Sequence, residues 1–156
     1  MDGPSFACGD HAACIRGALG AAEARCAADG ARLTPLRRRV LEILLEGHSA
    51  MGAYDVLARL DAEGLGSKPP VAYRALGFLV DHGLAHRIER LSAYVACARP
   101  GTTHAPAFLI CRGCGAVAET QGAEGLSRPA AEAGFVIEQT VIEAEGLCPA
   151  CQGPAA

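Results

Sequence analysis

Four cysteines fall in two short motifs, Cys111-Arg-Gly-Cys114-Gly115 and Cys148-Pro-Ala-Cys151-Gln-Gly153, with 33 residues between the pairs. Two intervening residues let both thiolates of a pair turn onto one ion, and the glycine and proline neighbours allow the tight bend. Two such pairs complete a tetrahedral sulfur shell around zinc, a closed structural site that leaves no coordination position for catalysis. Cys111, Cys114, Cys148 and Cys151 are therefore read as the ligands of one structural zinc. Two unrelated redox pairs, or coincidental cysteines, are the competing readings.

A second set lies outside the four-cysteine motif. His86, Cys97, His104 and Glu119 supply two imidazoles, one thiolate and one carboxylate, donors that zinc accepts together. Taken singly, each has a plain alternative: an exposed strand residue, a small buried hydrophobe, a loop residue and a solvated charge. As a set they sit where an ion would tie a hairpin to the second half of the chain, and an ion spanning a hinge biases the placement of whatever it joins. Cys8, His11 and Cys14 near the start are read as free residues of a loose leader, with a weak metal site as the alternative. No Ser/His/Asp set, phosphate loop or His-Glu-x-x-His motif occurs, so no catalytic residue and no small-molecule substrate are expected.

The elements that must position these residues follow from caps and periodicity. Residues 1–14 read as the leader and about 15–29 as a helix ending at Gly30. Thr34-Pro35 opens a second helix with Leu36, Val40, Ile43 and Leu44 at helical spacing, and Gly47 stops it. A third helix runs over about 53–63, and Pro69-Pro70 opens a fourth whose buried stripe is Ala72, Leu76, Leu79 and Val80. Two strand-like runs, Ala85–Arg90 and Ala93–Cys97, flank Leu91-Ser92 as a hairpin.

Short helices followed by a hairpin make a winged helix-turn-helix, in which the last helix enters the major groove. Tyr73, Arg74 and Gly77 then lie on or beside the face opposite the stripe. Arg74 is placed to fork onto a guanine, and Tyr73 to pack on a thymine methyl or bond a phosphate. A merely solvated helix face is the alternative.

The second half reads as strands His104–Cys111, Ala116–Gln121 and Phe135–Ala144, with a helix around Gly125–Ala133 in which Pro129 is tolerated only in the first turn. So small an α/β unit gains from a metal staple and from pairing with a second copy. The fold class is thus α+β: an N-terminal winged helix over 1–92, a C-terminal α/β dimerisation domain over 99–156, and 93–98 as the end of the wing and the hinge.

Composition agrees. The 156 residues are 51% hydrophobic, enough for packed cores, and no apolar run approaches a membrane span. Met1-Asp2-Gly3-Pro4-Ser5 has no secretory-signal character, which points to the cytoplasm and to eight reduced cysteines. The net charge of −3 is uneven: residues 1–92 carry 11 basic and 11 acidic side chains, residues 93–156 carry 3 and 6. Arg32, Arg37, Arg38 and Arg39 cluster in the first part as a local basic patch, which suits a phosphate backbone.

Several stretches in order resemble the ferric uptake regulator superfamily and, within it, the zinc uptake regulator branch. They are Arg32-Leu-Thr-Pro35, Ala53-Tyr-Asp55, Lys68-Pro-Pro-Val-Ala-Tyr-Arg-Ala-Leu76, Phe108-Leu-Ile-Cys-Arg-Gly-Cys-Gly115 and Val141-Ile-Glu-Ala-Glu-Gly-Leu-Cys148, spread over about residues 15–151. The resemblance implies a homodimer with one structural and one regulatory Zn2+ per subunit. It places the regulatory ligands on His86, Cys97, His104 and Glu119, and base contacts on Tyr54 and Arg74. The function implied is a zinc-responsive repressor that binds double-stranded operator DNA and shuts off zinc-uptake genes. The alternatives are an iron-, manganese- or peroxide-responsive member of the superfamily, or a zinc-stabilised adaptor without DNA affinity. Against the iron type, only His104-Ala-Pro-Ala-Phe-Leu-Ile precedes the first knuckle, where that branch carries several histidines, and a thiolate at Cys97 suits zinc. Val71-Ala72 departs from the Thr-Val expected before Tyr-Arg.

Overall fold

The computed structural model describes residues 6, 9–101, 104–122 and 124–154. The chain divides into two compact units, one from Ala7 to Thr102 and one that takes in Thr103–Ala156.

The first unit is helical. Helix α1 (His11–Ala28) begins earlier than the sequence suggests, because the Asp10 carboxylate accepts from the Ala13 N–H at 3.0 Å and caps it. His11 and Cys14 therefore belong to a helix and not to a loose leader; Cys8 lies outside the described residues. At the other end Gly30 takes φ +64°, and the Ala31 N–H returns to the Cys26 carbonyl at 2.8 Å. Helix α2 (Pro35–Leu45) starts on the Thr34 cap with proline at its first position, as expected. Helices α3 (Ala53–Ala62) and α4 (Pro69–Asp81) follow.

One core joins them. Leu19, Ala22 and Cys26 of α1 pack with Val40, Ile43 and Leu44 of α2, Val56 and Leu60 of α3, and Ala72, Leu76 and Leu79 of α4. Ala75 is part of the α4 stripe as well, whereas Val80 is only half-buried.

The wing is the antiparallel pair β1 (Ala85–Ile88) and β2 (Ala93–Ala96), in register Ala85 to Ala96. The first strand is shorter than the run read from sequence, since Glu89–Ser92 are needed for the turn, and the second ends one residue early, at Ala96. Met51 adds a bridge to Tyr94, with N–H to carbonyl distances of 2.9 and 2.8 Å, so the segment leading into α3 is fixed to the wing.

The second unit is a three-stranded sheet in the order β4-β3-β5. Strand β3 (Pro106–Cys111) pairs antiparallel with β4 (Val117–Gln121) and parallel with β5 (Ile142–Gly146). Helix α5 (Glu124–Glu132) lies in the connection that the parallel pairing requires.

Two expectations fail here. Pro129 lies beyond the first turn of α5; it is exposed and costs the helix one bond to Gly125, while the Ala133 N–H still reaches the Pro129 carbonyl at 3.1 Å. The expected strand over Phe135–Ala144 begins only at Ile142, because β3 offers hydrogen bonds to the later residues alone.

Candidate metal centres and nucleic-acid face

The two cysteine knuckles meet at one end of the sheet. Cys111 is the last residue of β3, and its carbonyl accepts the Gly115 N–H at 2.9 Å across a turn that needs φ +75° at Gly115. The Arg112 N–H donates to the Gly146 carbonyl at 2.9 Å, which ties this knuckle to the end of β5. Cys148 precedes a single 3-10 turn (Pro149–Cys151), whose closing bond runs from the Cys151 N–H to the Cys148 carbonyl at 2.9 Å.

All four sulfurs lie within 4.8 Å of one another, and Cys114 Sγ and Cys148 Sγ are 3.7 Å apart. A tetrahedron with metal–sulfur bonds of about 2.3 Å has edges of roughly 3.8 Å, so the spacing fits zinc. Backbone donors add to the fit: the Cys148 N–H points to Cys111 Sγ at 3.3 Å. That N–H, with others of the knuckle, draws the Cys111 thiol down to about 6, while the neighbouring Cys148 sulfur, with Cys114 and Cys111, pushes Cys151 up to about 12. Four thiolates cannot share so small a volume without a cation, and a dication removes the conflict. Sequence reasoning gives Gly113 only a part in the bend and misses its close packing; a Cβ there would come within 3.1 Å of Cys151 Sγ and 3.3 Å of Leu147 Cδ2. Its signal is the glycine inside the first Cys-x-x-Cys.

The other donor set divides between the units. In the first, the Cys97 N–H donates to the Leu84 carbonyl at 2.9 Å, which extends the wing ladder by one residue. Leu84, His86 and Cys97 therefore share a face of the hairpin, and the donor atoms of His86 and Cys97 come within 4.8 Å of each other. Cys97 is buried, and its sulfur accepts the Arg99 N–H at 3.3 Å. In the second unit, His104 just before β3 and Glu119 on β4 meet at 2.6 Å, with side chains 9% and 7% exposed. The pair is nearly shut off from solvent, and the two donor atoms are close enough to face one ion.

The predicted nucleic-acid contacts all lie in the first unit. Tyr54 at the start of α3 and Tyr73 on α4 are 67% and 48% exposed and meet edge to face, ring centroids 6.4 Å apart. Arg74 is exposed beside Tyr73, and Gly77 on the same helix has open space where a side chain would stand. Arg37 is differently occupied: its guanidinium lies 3.7 Å from the Phe78 ring centroid and donates to the Arg32 carbonyl at 2.8 Å, pinning α2 to α4. The expected basic patch is also largely consumed. Arg38 pairs with Glu23 and Glu42, and Arg39 with Glu42, Glu46 and Glu63. Acidic partners distant in sequence, Glu63 above all, hide this from a reading of the sequence.

No family model matches the chain. The zinc uptake regulation protein of Escherichia coli (strain K12) is 42% identical over 137 residues, 85% of this chain and 80% of that protein. The protein of the same name from Shigella flexneri is equally similar. A solved structure described as a zinc uptake regulator complexed with zinc and DNA superimposes with a TM-score of 0.80 at 41% identity, covering 87% of this chain and 93% of that one. A second, holo XcZur, gives 0.77 at 33% identity, covering 87% and 97%.

Proposed function

Because the chain belongs to the zinc uptake regulator family, a branch of the ferric uptake regulator superfamily, we propose that it is a zinc-responsive repressor that binds operator DNA as a homodimer and silences zinc-uptake genes. It is a regulator and not an enzyme. Zinc is its cofactor: Cys111, Cys114, Cys148 and Cys151 hold the structural ion, and the observation that carries this is the closed shell of four sulfurs within 4.8 Å. The ion supplies a fourfold cross-link between the end of β3 and the 3-10 turn.

His86, Cys97, His104 and Glu119 hold the regulatory zinc. What supports this is the donor chemistry, the same-face placement of His86 with Cys97, and the buried His104–Glu119 pair. A sulfur donor at Cys97 favours zinc over iron or manganese. Filling this set biases the two units toward the operator-binding arrangement. By linkage, operator DNA tightens regulatory zinc by the same factor that zinc tightens operator.

Tyr54, Tyr73 and Arg74 read the operator, and Arg37 contributes positive charge while bracing α4. The operator is A/T-rich and pseudo-palindromic, with half-sites about one helical turn apart to match a two-fold dimer. The dimer face is the apolar surface of the second unit, where Leu126, Phe135, Val136 and Val141 are exposed. Water is a poor neighbour for that much apolar area, and a second copy removes it. The strand expected over Phe135–Ala144 conceals this face in the sequence. The protein works in the cytoplasm; among the described residues no helix is long and apolar enough to cross a membrane.

The test is duplex binding to an A/T-rich inverted-repeat fragment across buffered free zinc, with iron and manganese in parallel. Tight binding appears only as zinc rises and is lost in Cys97→Ser. Binding that follows iron or manganese instead reassigns the sensor; binding to DNA that ignores every metal refutes the switch.

A further inference from the structure

Among the donors that the proposed function leaves unused are two histidines of the first unit, one of them at the start of α1. The His11 Nε2 lies 3.0 Å from the Glu46 carbonyl, just past the end of α2. A carbonyl only accepts, so Nε2 carries the proton and the ring lone pair is on Nδ1. An imidazole whose one N–H is held by a backbone carbonyl is the usual form of a metal-ligating histidine. The other imidazole comes from the turn between α2 and α3: the His48 ring centroid is 5.4 Å from that of His11, with the planes tilted by 52°. Two imidazoles bound to one tetrahedral ion, each through a nitrogen at about 2.0–2.1 Å, have centroids roughly 5 Å apart. The carbonyl end of α2 also carries partial negative charge, which favours a cation there.

We propose that His11 and His48 form a further divalent-metal site, suited to zinc, on the DNA-binding unit. Neutral imidazole nitrogens hold the ion less tightly than four thiolates do, so the site is weaker than the four-sulfur one. Its placement gives it a structural effect. His48 lies in the segment that runs to Met51 and into α3, the helix that carries Tyr54. An ion on His11 and His48 fastens α1 to that segment and stiffens the approach to α3.

The experiment uses the full chain, first loaded with zinc and freed of excess metal. Zinc is then added against a weak chromophoric competitor, and His11→Ala, His48→Ala and His48→Gln are titrated in parallel. Each variant is expected to bind one equivalent per chain fewer than the parent. Because the readout is a difference from the parent, it does not depend on how many other sites the chain carries. Hydrogen exchange adds a readout on the parent itself: the extra equivalent slows amides in the first turns of α1, and does not do so in His48→Gln. Equal stoichiometry in parent and His48→Gln, or an extra equivalent that leaves α1 exchange unchanged, overturns the site.

Discussion

Loss of the four-sulfur zinc should unfold one unit and spare the other. Among the described residues of the second unit the buried ones are Ala107, Phe108, Ile110, Cys111, Val117, Ala118 and Cys148, of which only Phe108, Ile110 and Val117 are large apolar side chains. Burying these three contributes about 5–9 kcal/mol at roughly 1.5–3 kcal/mol each. A structural zinc in a small domain contributes about 10–16 kcal/mol of apparent folding free energy, so the metal stabilises this unit more than its apolar core does. The first unit has no such dependence, since its core runs continuously through α1, α2, α3 and α4. In Cys111→Ser, amide protection should vanish from β3, β4 and β5 and persist in α2 to α4. The calorimetric trace should lose the transition of the second unit, and the structural equivalent of zinc should be lost together with any zinc held through His104 and Glu119 of the same unit. A variant that keeps sheet protection and its full zinc content would refute the reasoning, because the sheet would then be shown to stand on its small core alone.

Arg74→Ala should cost about 1–3 kcal/mol of operator affinity and relax base choice at one position, measured with a panel of singly altered duplexes. Arg37→Ala should instead lower the melting temperature of the first unit, through loss of a cation–π contact of about 0.5–1 kcal/mol, and weaken binding uniformly across that panel. Phe135→Asp should shift the zinc-loaded protein from dimer to monomer in sedimentation; an unchanged dimer would place the interface elsewhere. Acid sensitivity of the first unit should centre on Arg39. The Arg39 guanidinium holds the Glu63 carboxyl below its usual range, and although burial opposes it, Arg59 and Arg39 do the same for Glu46. A lowered folded-state pKa means stability that is present above the unfolded-state value and lost as pH falls through the folded one. Arg39→Met should therefore flatten the acid limb of the stability–pH curve, which chemical denaturation between pH 3 and about 6 would reveal.

What is legible in the sequence is whatever local spacing controls. Cys-x-x-Cys fixes the reach of two sulfurs within one turn, and Thr34-Pro35 fixes a helix start, so both emerge where expected. What misleads depends on partners far along the chain. Phe135–Val141 has the composition of a strand, but β3 pairs only from Ile142 onward, and the leftover apolar residues become an exposed face. Arg38 and Arg39 look like a phosphate-binding patch until Glu23, Glu46 and Glu63 arrive beside them. The first turn of α1 reads as a leader because His11-Ala-Ala-Cys14 gives it no apolar stripe; a single carboxylate at Asp10 starts the helix nonetheless. That cap matters beyond the helix. It places His11 where the Glu46 carbonyl and the His48 ring can reach it, from 35 and 37 residues away. His11, which the sequence offers only beside Cys8 and Cys14, thus gains His48 as a neighbour from the fold, and the chemistry to test lies there as much as in the cysteine motifs.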